Sequence, residues 1–412
     1  MDPQVSSTPV APADVIVVGA GPVGLVAALA LRKRHGLRVA VLEHEPAGRS
    51  RPGSRAIFLH RESLDILAAL DPAVAAEVRR RGLVWSVKRT SYRGREVYAR
   101  RYPAPEGPPA AINLSQAETE GILFNACVSA GVEFHWNRAV SSVQSSPESV
   151  IVQTADGSLL PASYVIGADG SRSAVRSSLG VQLRGPRWTN TFVVVDVAED
   201  PGDPMRVERV FHYEHPMAGY RNVLMVPFAG HWRIDLQCKP SDDPEQFSGR
   251  DGVRRWLPAV MPAKYADRVT WVTSYQFRQA IADSFADPHG RVLLAGEAAH
   301  VFAPFGARGL NSGVADAYVA ADAIARAARD PGRAGASPAV EAFARTRRRA
   351  AMRNAAASTA ALQHLTARSL TRRGMRWTAG RLAPFITATG KWMDTAPFGP
   401  TLGERDEDGM RY

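Results

Sequence analysis

The stretch Asp14-Val-Ile-Val-Val-Gly-Ala-Gly-Pro-Val-Gly24 constrains the fold more than any other part of the chain. Val15 to Val18 is a short, uncharged, β-branched run that reads as a buried parallel strand, and Gly19-x-Gly21-x-x-Gly24 follows at once. Each glycine has its own task in such a turn. Gly19 permits the sharp bend, Gly21 leaves room for a pyrophosphate against the backbone, and Gly24 lets the next helix pack close to the strand. The pattern predicts a helix from about Leu25 to Arg34, with Arg32, Lys33 and Arg34 in a last turn where cations suit the dipole. Gly36 is its expected C-cap. A second strand, Val39 to Leu42, ends at Glu43, 19 residues beyond Gly24. Together these features predict a dinucleotide site, with phosphates at the helix N-terminus and a ribose hydroxyl on Glu43. A membrane span over Val15 to Leu31 is the poorer reading, because the run is short and holds three turn glycines and a proline.

The chain has 412 residues, enough for two or three domains, and its 45% hydrophobic and 22% charged residues are those of a soluble globular protein. Its net charge of +11 comes almost wholly from arginine, since only five of the 51 basic residues are lysine. These arginines are spread along the chain rather than clustered with aromatics. They read as the signature of a GC-rich coding sequence, and neither a nucleic acid nor a membrane is expected as a partner. Cys127 and Cys238 are the only cysteines, so no disulfide framework or cysteine metal motif is expected, and the natural setting is the cytoplasm. Residues 1–13 read as a disordered leader. His212 and His215 are three apart in a predicted strand, which puts them on opposite faces, and no metal site is expected.

Beyond the first unit, Arg49 to Leu59 is a basic loop leading into a helix over Arg61 to Leu70. Arg55 in this loop could reach a phosphate. Leu83 to Arg101 alternates like two or three antiparallel strands, and the prolines from Pro103 to Pro109 form a rigid connector. A helix to Ala130 opens at Ser115 or Asn113, with Gln116 in its first turn. Tyr164-Val-Ile-Gly167-Ala-Asp169-Gly170-Ser-Arg-Ser173-Ala-Val-Arg176 is a second strand running into glycine, an acid and a helix start. Five strand candidates between Phe192 and Tyr275 suggest a separate antiparallel sheet. In one of them Trp232, Ile234, Leu236 and Cys238 share a face, while Arg233, Asp235 and Gln237 share the other. Either face suits a cavity. A third strand-to-turn unit, Arg291-Val-Leu-Leu-Ala-Gly296-Glu297-Ala-Ala-His300, continues through Pro304 and Gly309 into an Ala-rich helix to about Arg329. The N-terminus of that helix, near Leu310 and Asn311, suits an electron-rich group.

Taken together, the three stretches resemble the FAD-dependent aromatic hydroxylases of the para-hydroxybenzoate hydroxylase class over most of residues 14–330. The first motif is complete in Gly19, Gly21, Gly24 and Glu43. The middle motif is Asp169-Gly170, followed by Ser173 and Arg176. The third, normally Gly-Asp, is Gly296-Glu297 here, and this is a departure. Phe305 to Gly313 looks most like the phenolic-acid and polyketide hydroxylase branches, which often carry a C-terminal thioredoxin-like domain. This chain is expected to end before such a domain, in an Ala/Arg-rich helical tail.

The resemblance implies an α/β fold, with a Rossmann-like FAD-binding domain of the GR2 type, an inserted antiparallel substrate sheet and a C-terminal helical segment. The implied FAD-binding parts are residues 1–82, 110–186 and 287–335. The implied substrate-domain parts are residues 83–109 and 187–286, and the helical segment is 336–412. It also implies that FAD contacts Arg55 beside the pyrophosphate, and Gln116 and Glu297 near the ribityl chain. Pro304 would border the flavin's reactive edge, and Arg55 and Pro304 are the residues expected closest to the chemistry. The implied reaction uses NADPH or NADH as a transient co-substrate. Dioxygen forms a C4a-hydroperoxyflavin, which hydroxylates an aromatic, phenolic or polyketide-like substrate in a dry site. The alternatives are a related epoxidase or Baeyer–Villiger oxygenase, or a catalytically silent flavin-binding protein. The expected assembly is a monomer or homodimer, and no catalytic base identifies itself.

Overall fold

The computed structural model describes residues 13–49, 52–55, 57–103, 109–329 and 336–399. The expected leader, most of the proline connector and the acidic C-terminal stretch lie outside them.

Two seven-stranded sheets organise the protein. In the first, Ala13–Val18 lies between Val39–Leu42 and Leu159–Gly167, all parallel, with Val17 opposite both Val41 and Ile166. Glu133–His135 and Val292–Leu294 add parallel strands, while Val150–Thr154 and Val140–Ser145 continue the sheet antiparallel. The apolar runs in the central strands fit the burial of both faces. One face is covered by the helix Pro22–His35, which packs against Arg308–Ala327 and Gln116–Ser129. Pro22 to Leu31 are buried apart from Val23, so this helix is sequestered all round rather than amphipathic. It begins at Pro22, three residues before the expected Leu25, because a proline in the first turn has its φ preset and no N–H to satisfy. Its C-cap is Gly36 in the left-handed region, as expected.

The second sheet runs in the order Val269–Arg278, Arg187–Ala198, His231–Gln237, Arg221–Phe228, Glu208–His215, Val87–Tyr92, Arg95–Arg101. It is antiparallel except where Glu208–His215 pairs parallel with Val87–Tyr92. The sheet's two faces differ in character. Trp232, Ile234 and Leu236 join Val193, Val195 and Val197 in a core closed by Val253, Trp256, Leu257 and Tyr265. The helix Arg250–Trp256 that supplies part of that core was not anticipated, nor was Pro72–Arg81. Arg233, Asp235 and Gln237 therefore face the first sheet's domain across a cleft.

One expectation is overturned. Glu214 has φ +46°, and the pairing register shifts between His212 and His215. This irregularity breaks the two-residue alternation, and the two imidazoles come together with centroids 5.1 Å apart. The tail forms helices Pro338–Thr366, Leu370–Leu382 and Thr387–Thr395, the first packed along Arg308–Ala327. Among the described residues, no helix is long and apolar enough to cross a membrane.

Candidate active site

A single cavity of about 940 Å³ runs between the first sheet's C-terminal edge and the inner face of the second sheet. The first motif forms one end. Gly19 has φ +101°, and a methyl there would sit 2.5 Å from the Ala168 carbonyl oxygen. At Gly24 a methyl would lie 1.9 Å from the Gly19 carbonyl oxygen. Gly19 and Gly21 line the cavity, whereas Gly24 lies behind it, where helix meets strand.

The helix Pro22–His35 has no side-chain cap and no acid in its first turn. The helix Arg308–Ala327, behind an N-cap Ala307 at φ +53°, is likewise uncapped and without an early acid. Helices led by Asp71, Ser115, Ser173, Ser337 and Ser369 carry side-chain caps, while Arg61–Leu70, Arg250–Trp256 and Thr387–Thr395 also lack one but do not begin at the cavity. Two long helices thus leave the N–H groups of their first turns to a ligand, and Gly21, Pro22, Gly309 and Leu310 bring both ends to the same cavity.

Glu43 reaches the cavity but is already engaged. Its carboxylate accepts from Ala20 N–H at 2.7 Å and Glu45 N–H at 3.1 Å, and pairs with Arg49 at 2.9 Å and His44 at 2.7 Å. A carboxylate has about four lone-pair positions. A ribose hydroxyl must therefore share or displace a partner, and His44, with a side chain 68% exposed, is the most easily moved. Arg49 escaped the sequence reading because a basic loop gives no sign of which arginine turns back. Glu43, His44 and Glu45 are also the group of possible metal-ligand atoms among the described residues.

Asp169 and Gly170 line the cavity. Asp169 Oδ2 accepts from the N–H groups of Ala174 and Val175 at 2.7 and 3.2 Å, while its buried Oδ1 has no partner among the described residues. Burial raises its carboxyl above the usual value, against the pull of those hydrogen bonds. Arg176 donates to the carbonyls of Ser171 and Ala298, tying this turn to the third motif.

In the third motif Gly296 has φ +59°, and its N–H donates to Asp316 Oδ2 at 3.1 Å. Asp316 is fully buried and holds His300 Nε2 at 2.6 Å and Arg347 Nε at 2.7 Å. Gly296 is itself buried, whereas Glu297 projects into the cleft. Glu297 is open to cleft solvent yet ringed by protein, and this confinement raises its carboxyl above the usual value, opposed by the charges of His300 and Arg55.

Arg55 sits at φ +52°, an uncommon conformation for a side chain of its size. Three contacts pin its loop to the second sheet. Gly53 lies so close to Trp271 that a methyl would come within 2.3 Å of the ring. Ser54 bonds Asp196, and the Arg55 carbonyl accepts from Arg233. Gln116 also lines the cavity and donates to Glu120 at 2.8 Å.

Pro304 borders the cavity, and the next residue, Phe305, packs edge-on against Phe192 and Phe277 at 5.5 and 5.3 Å. Asn311 lies behind the wall. Its side chain donates to the Phe58 and Ala307 carbonyls and accepts from His60 N–H and Ser63, locking the helix start to the strand Phe58–His60.

These features fit FAD: a bare backbone turn and uncapped helix end for the pyrophosphate, an unused acceptor on Asp169, and a second uncapped helix end beside Pro304. The comparisons with known proteins agree. The FAD binding domain family matches residues 12–358. The chain belongs to the class A flavoprotein hydroxylase family. It is 32% identical to 6-methylpretetramide 4-monooxygenase of Streptomyces rimosus over 74% of this chain and 54% of that protein, so it spans about half of that relative's length. The structure of p-nitrophenol 4-monooxygenase from Pseudomonas putida DLL-E4 superposes with a TM-score of 0.73 at 25% identity, covering 94% of this chain and 98% of that one. Aklavinone-11 hydroxylase, solved with FAD and aklavinone, superposes with a TM-score of 0.70 at 26% identity, covering 86% and 69%.

Proposed function

We propose that this chain is a single-component FAD-dependent monooxygenase that uses NADPH or NADH and dioxygen to hydroxylate an aromatic, phenolic or polyketide-like substrate. The observation that carries this reading is that the uncapped N-termini of Pro22–His35 and Arg308–Ala327 open onto the same aromatic-walled cavity. Gly19, Gly21, Arg55, Gln116, Asp169 and Glu297 would hold the cofactor's diphosphate and ribityl parts. Gly309 and Leu310 would offer backbone N–H groups to its ring. FAD, when bound, supplies the electron transfer and oxygen activation.

The chain's own part is orientation and dryness. Phe192, Phe277 and Phe305 exclude water from one side of the chamber. Tyr275 keeps its proton, because burial raises its hydroxyl well above the usual value. Asp235, held by Arg233 Nε at 2.8 Å, provides a carboxylate acceptor for a ring hydroxyl. Only one dinucleotide fingerprint is present, so the pyridine nucleotide binds transiently. The domain limits at 82, 109, 186, 286 and 335 are proposed with this reading, supported by the separate sheets. A cytoplasmic setting is proposed from the two free, buried cysteines.

Purified protein should be yellow, and it should oxidise NADPH or NADH faster when a phenol is added and yield a product heavier by one oxygen. A protein that cannot be loaded with FAD would overturn the reading. Product structure separates hydroxylation from epoxidation or Baeyer–Villiger insertion.

A further inference from the structure

The charge of this chain is unevenly placed. Between Glu341 and Asp394 there is no acid, yet that stretch carries eleven arginines and lysines, as many as the net charge of the whole chain, so the other 40 basic residues balance the 40 acids. Arg347 and Arg376 are used inside the protein, on Asp316 and Glu214. Asp394 offers no counter-charge to the rest, because it is buried and already paired with Lys88 at 3.0 Å and Arg100 at 3.1 Å. Arg372, Arg373, Arg381 and Lys391 are exposed. Arg372 donates to Gln363 and Arg373 to the Ala367 carbonyl, while Arg381 lies over the Trp377 ring at 4.6 Å, and none of the four pairs with an acid among the described residues.

The same region exposes apolar side chains. Six of the fourteen exposed large hydrophobic residues, Leu370, Met375, Trp377, Leu382, Phe385 and Ile386, fall in this one short segment, and Phe385 at 85% and Leu370 at 82% are the most exposed of all. The helix Leu370–Leu382 turns Arg376, Ala379 and Gly380 inward, and that side is anchored. Arg376 bonds Glu214 at 2.6 Å, and a methyl on Gly380 would come within 2.4 Å of the Tyr92 ring. The outer half is thereby held toward solvent. It carries Leu370 and Trp377 one heptad apart on one flank, and Met375 and Leu382 one heptad apart on the other, with Thr371, Gly374 and Thr378 between them.

An apolar patch rimmed by unpaired cations marks a docking surface. A second copy is a poor occupant, because a twofold contact would set these cations against themselves. A nucleic acid would use the cations and leave the apolar side chains in water. An anionic bilayer uses both, since its headgroups take the cations while the aromatic and aliphatic side chains enter the acyl boundary.

We infer that the segment from Leu370 to Ile386, with Lys391, is a peripheral docking face for an anionic lipid bilayer. This departs from the expectation that no membrane is a partner, which rested on the spread of the arginines and not on that of the acids. The inference is independent of the hydroxylase reading but bears on it. The chain continues through Thr387–Thr395 to Pro397 and Phe398, which line the cavity, so docking holds the cavity's tail-side wall near a phase in which apolar aromatic compounds concentrate.

The test mixes full-length protein, supplied with FAD, with vesicles of phosphatidylcholine or of an equal mixture of phosphatidylcholine and phosphatidylglycerol, and reads co-sedimentation. Binding to the anionic vesicles should be at least tenfold tighter and should weaken with added salt. Each of Arg372→Gln, Arg381→Gln and Lys391→Gln should weaken it about fivefold, and Phe385→Ser should weaken it without altering the salt sensitivity. FAD content and melting temperature should be unchanged in all four. Because Cys127 and Cys238 are buried, a dye attached to Thr378→Cys reports this face alone, and its emission should shift to the blue on the anionic vesicles. No binding, equal binding to both kinds of vesicle, or a dye that still reports water overturns the proposal. Binding to duplex DNA as tight as to anionic vesicles and indifferent to Phe385→Ser does so as well. Self-association abolished by Phe385→Ser, without vesicle binding, assigns the face to a second copy and overturns it too. So does vesicle binding that appears only when Glu404, Asp406, Glu407 and Asp408 are neutralised, which assigns the face to the chain's own terminus. Protein that cannot hold FAD yet binds anionic vesicles defeats the hydroxylase reading and leaves this one standing.

Discussion

Asp196 accepts from both the backbone N–H and the hydroxyl of Ser54, at 2.6 and 2.8 Å, across 142 residues of sequence. The aspartate belongs to the second sheet, and the serine to the loop that presents Arg55 to the cavity. With Gly53 against Trp271 and Arg233 on the Arg55 carbonyl, this contact fixes the loop to the substrate wall. The strained backbone at Arg55 is therefore held from the substrate side, and the cofactor and substrate walls share one set of supports.

Asp196→Ala should release that loop. It orphans a buried N–H and a buried hydroxyl, at about 1–3 kcal/mol each on top of the two bonds lost, whereas Ser54→Ala loses a single hydroxyl-to-carboxylate bond worth about 1.5–3 kcal/mol. Urea denaturation should rank the variants in that order, and FAD dissociation from Asp196→Ala should be faster than from Ser54→Ala. Equal effects of the two changes would show that the backbone bond carries nothing.

Asp316 supports the third motif from behind. Its carboxyl lies below the usual value, since burial pushes it up but the charges and hydrogen bonds of His300 and Arg347 outweigh that push. Asp316→Asn strips Arg347 of its carboxylate in a buried site and should cost about 3–5 kcal/mol. Because Gly296 N–H rests on the same carboxylate, FAD affinity should fall together with stability. Chemical denaturation of the loaded and unloaded protein checks both, and a stable variant with weakened FAD binding would refute the shared support.

Local spacing made the cofactor half legible. Gly19 to Glu43 is one contiguous unit whose geometry follows from its residue types, and the turns at Asp169 and Gly296 repeat its form. The substrate half was less so, for reasons that can be named. Alternation in Trp232 to Cys238 shows that two faces exist but not which one meets the cavity, and only the helix Arg250–Trp256 on the apolar side decides it. The bulge at Glu214 depends on a single backbone angle. Lys88 and Asp394 are 306 residues apart, and Arg49 could serve Glu43 only once the chain had turned back. Charge pairing across such separations leaves no local periodicity to read.

Asp235 is expected to act on the substrate hydroxyl rather than on the cofactor. Asp235→Asn keeps the shape and the contact to Arg233 but removes the anionic acceptor. The rate with phenols should drop by at least tenfold, an amount typical of a lost general base or charged acceptor. FAD content should be unchanged, and the loss should appear in kcat more than in KM. Unchanged turnover in the variant would sink this role.

Glu297 is where the chain departs from the family motif, and its protonation can be followed. Its carboxyl is raised above the usual 4.5, by confinement first and despite the nearby charges of His300 and Arg55. The sign follows from linkage. A raised folded-state value means that the protonated form is favoured by folding, so this group's contribution is complete below 4.5 and is lost as pH climbs through the folded value. Glu297→Gln imitates the protonated form at every pH. In FAD-free protein, the melting temperature of Glu297→Gln minus that of the wild type should therefore rise as the pH is taken from 4 to 7, then level off. Glu297→Ala should weaken FAD binding by about tenfold, the loss of one hydrogen bond to a ribityl hydroxyl, while Glu297→Asp retains the acceptor and binds within a few-fold of the wild type. A melting difference that does not change with pH would place the Glu297 carboxylate in an environment as favourable as water, and its longer side chain would then be a neutral substitution rather than a confined acid.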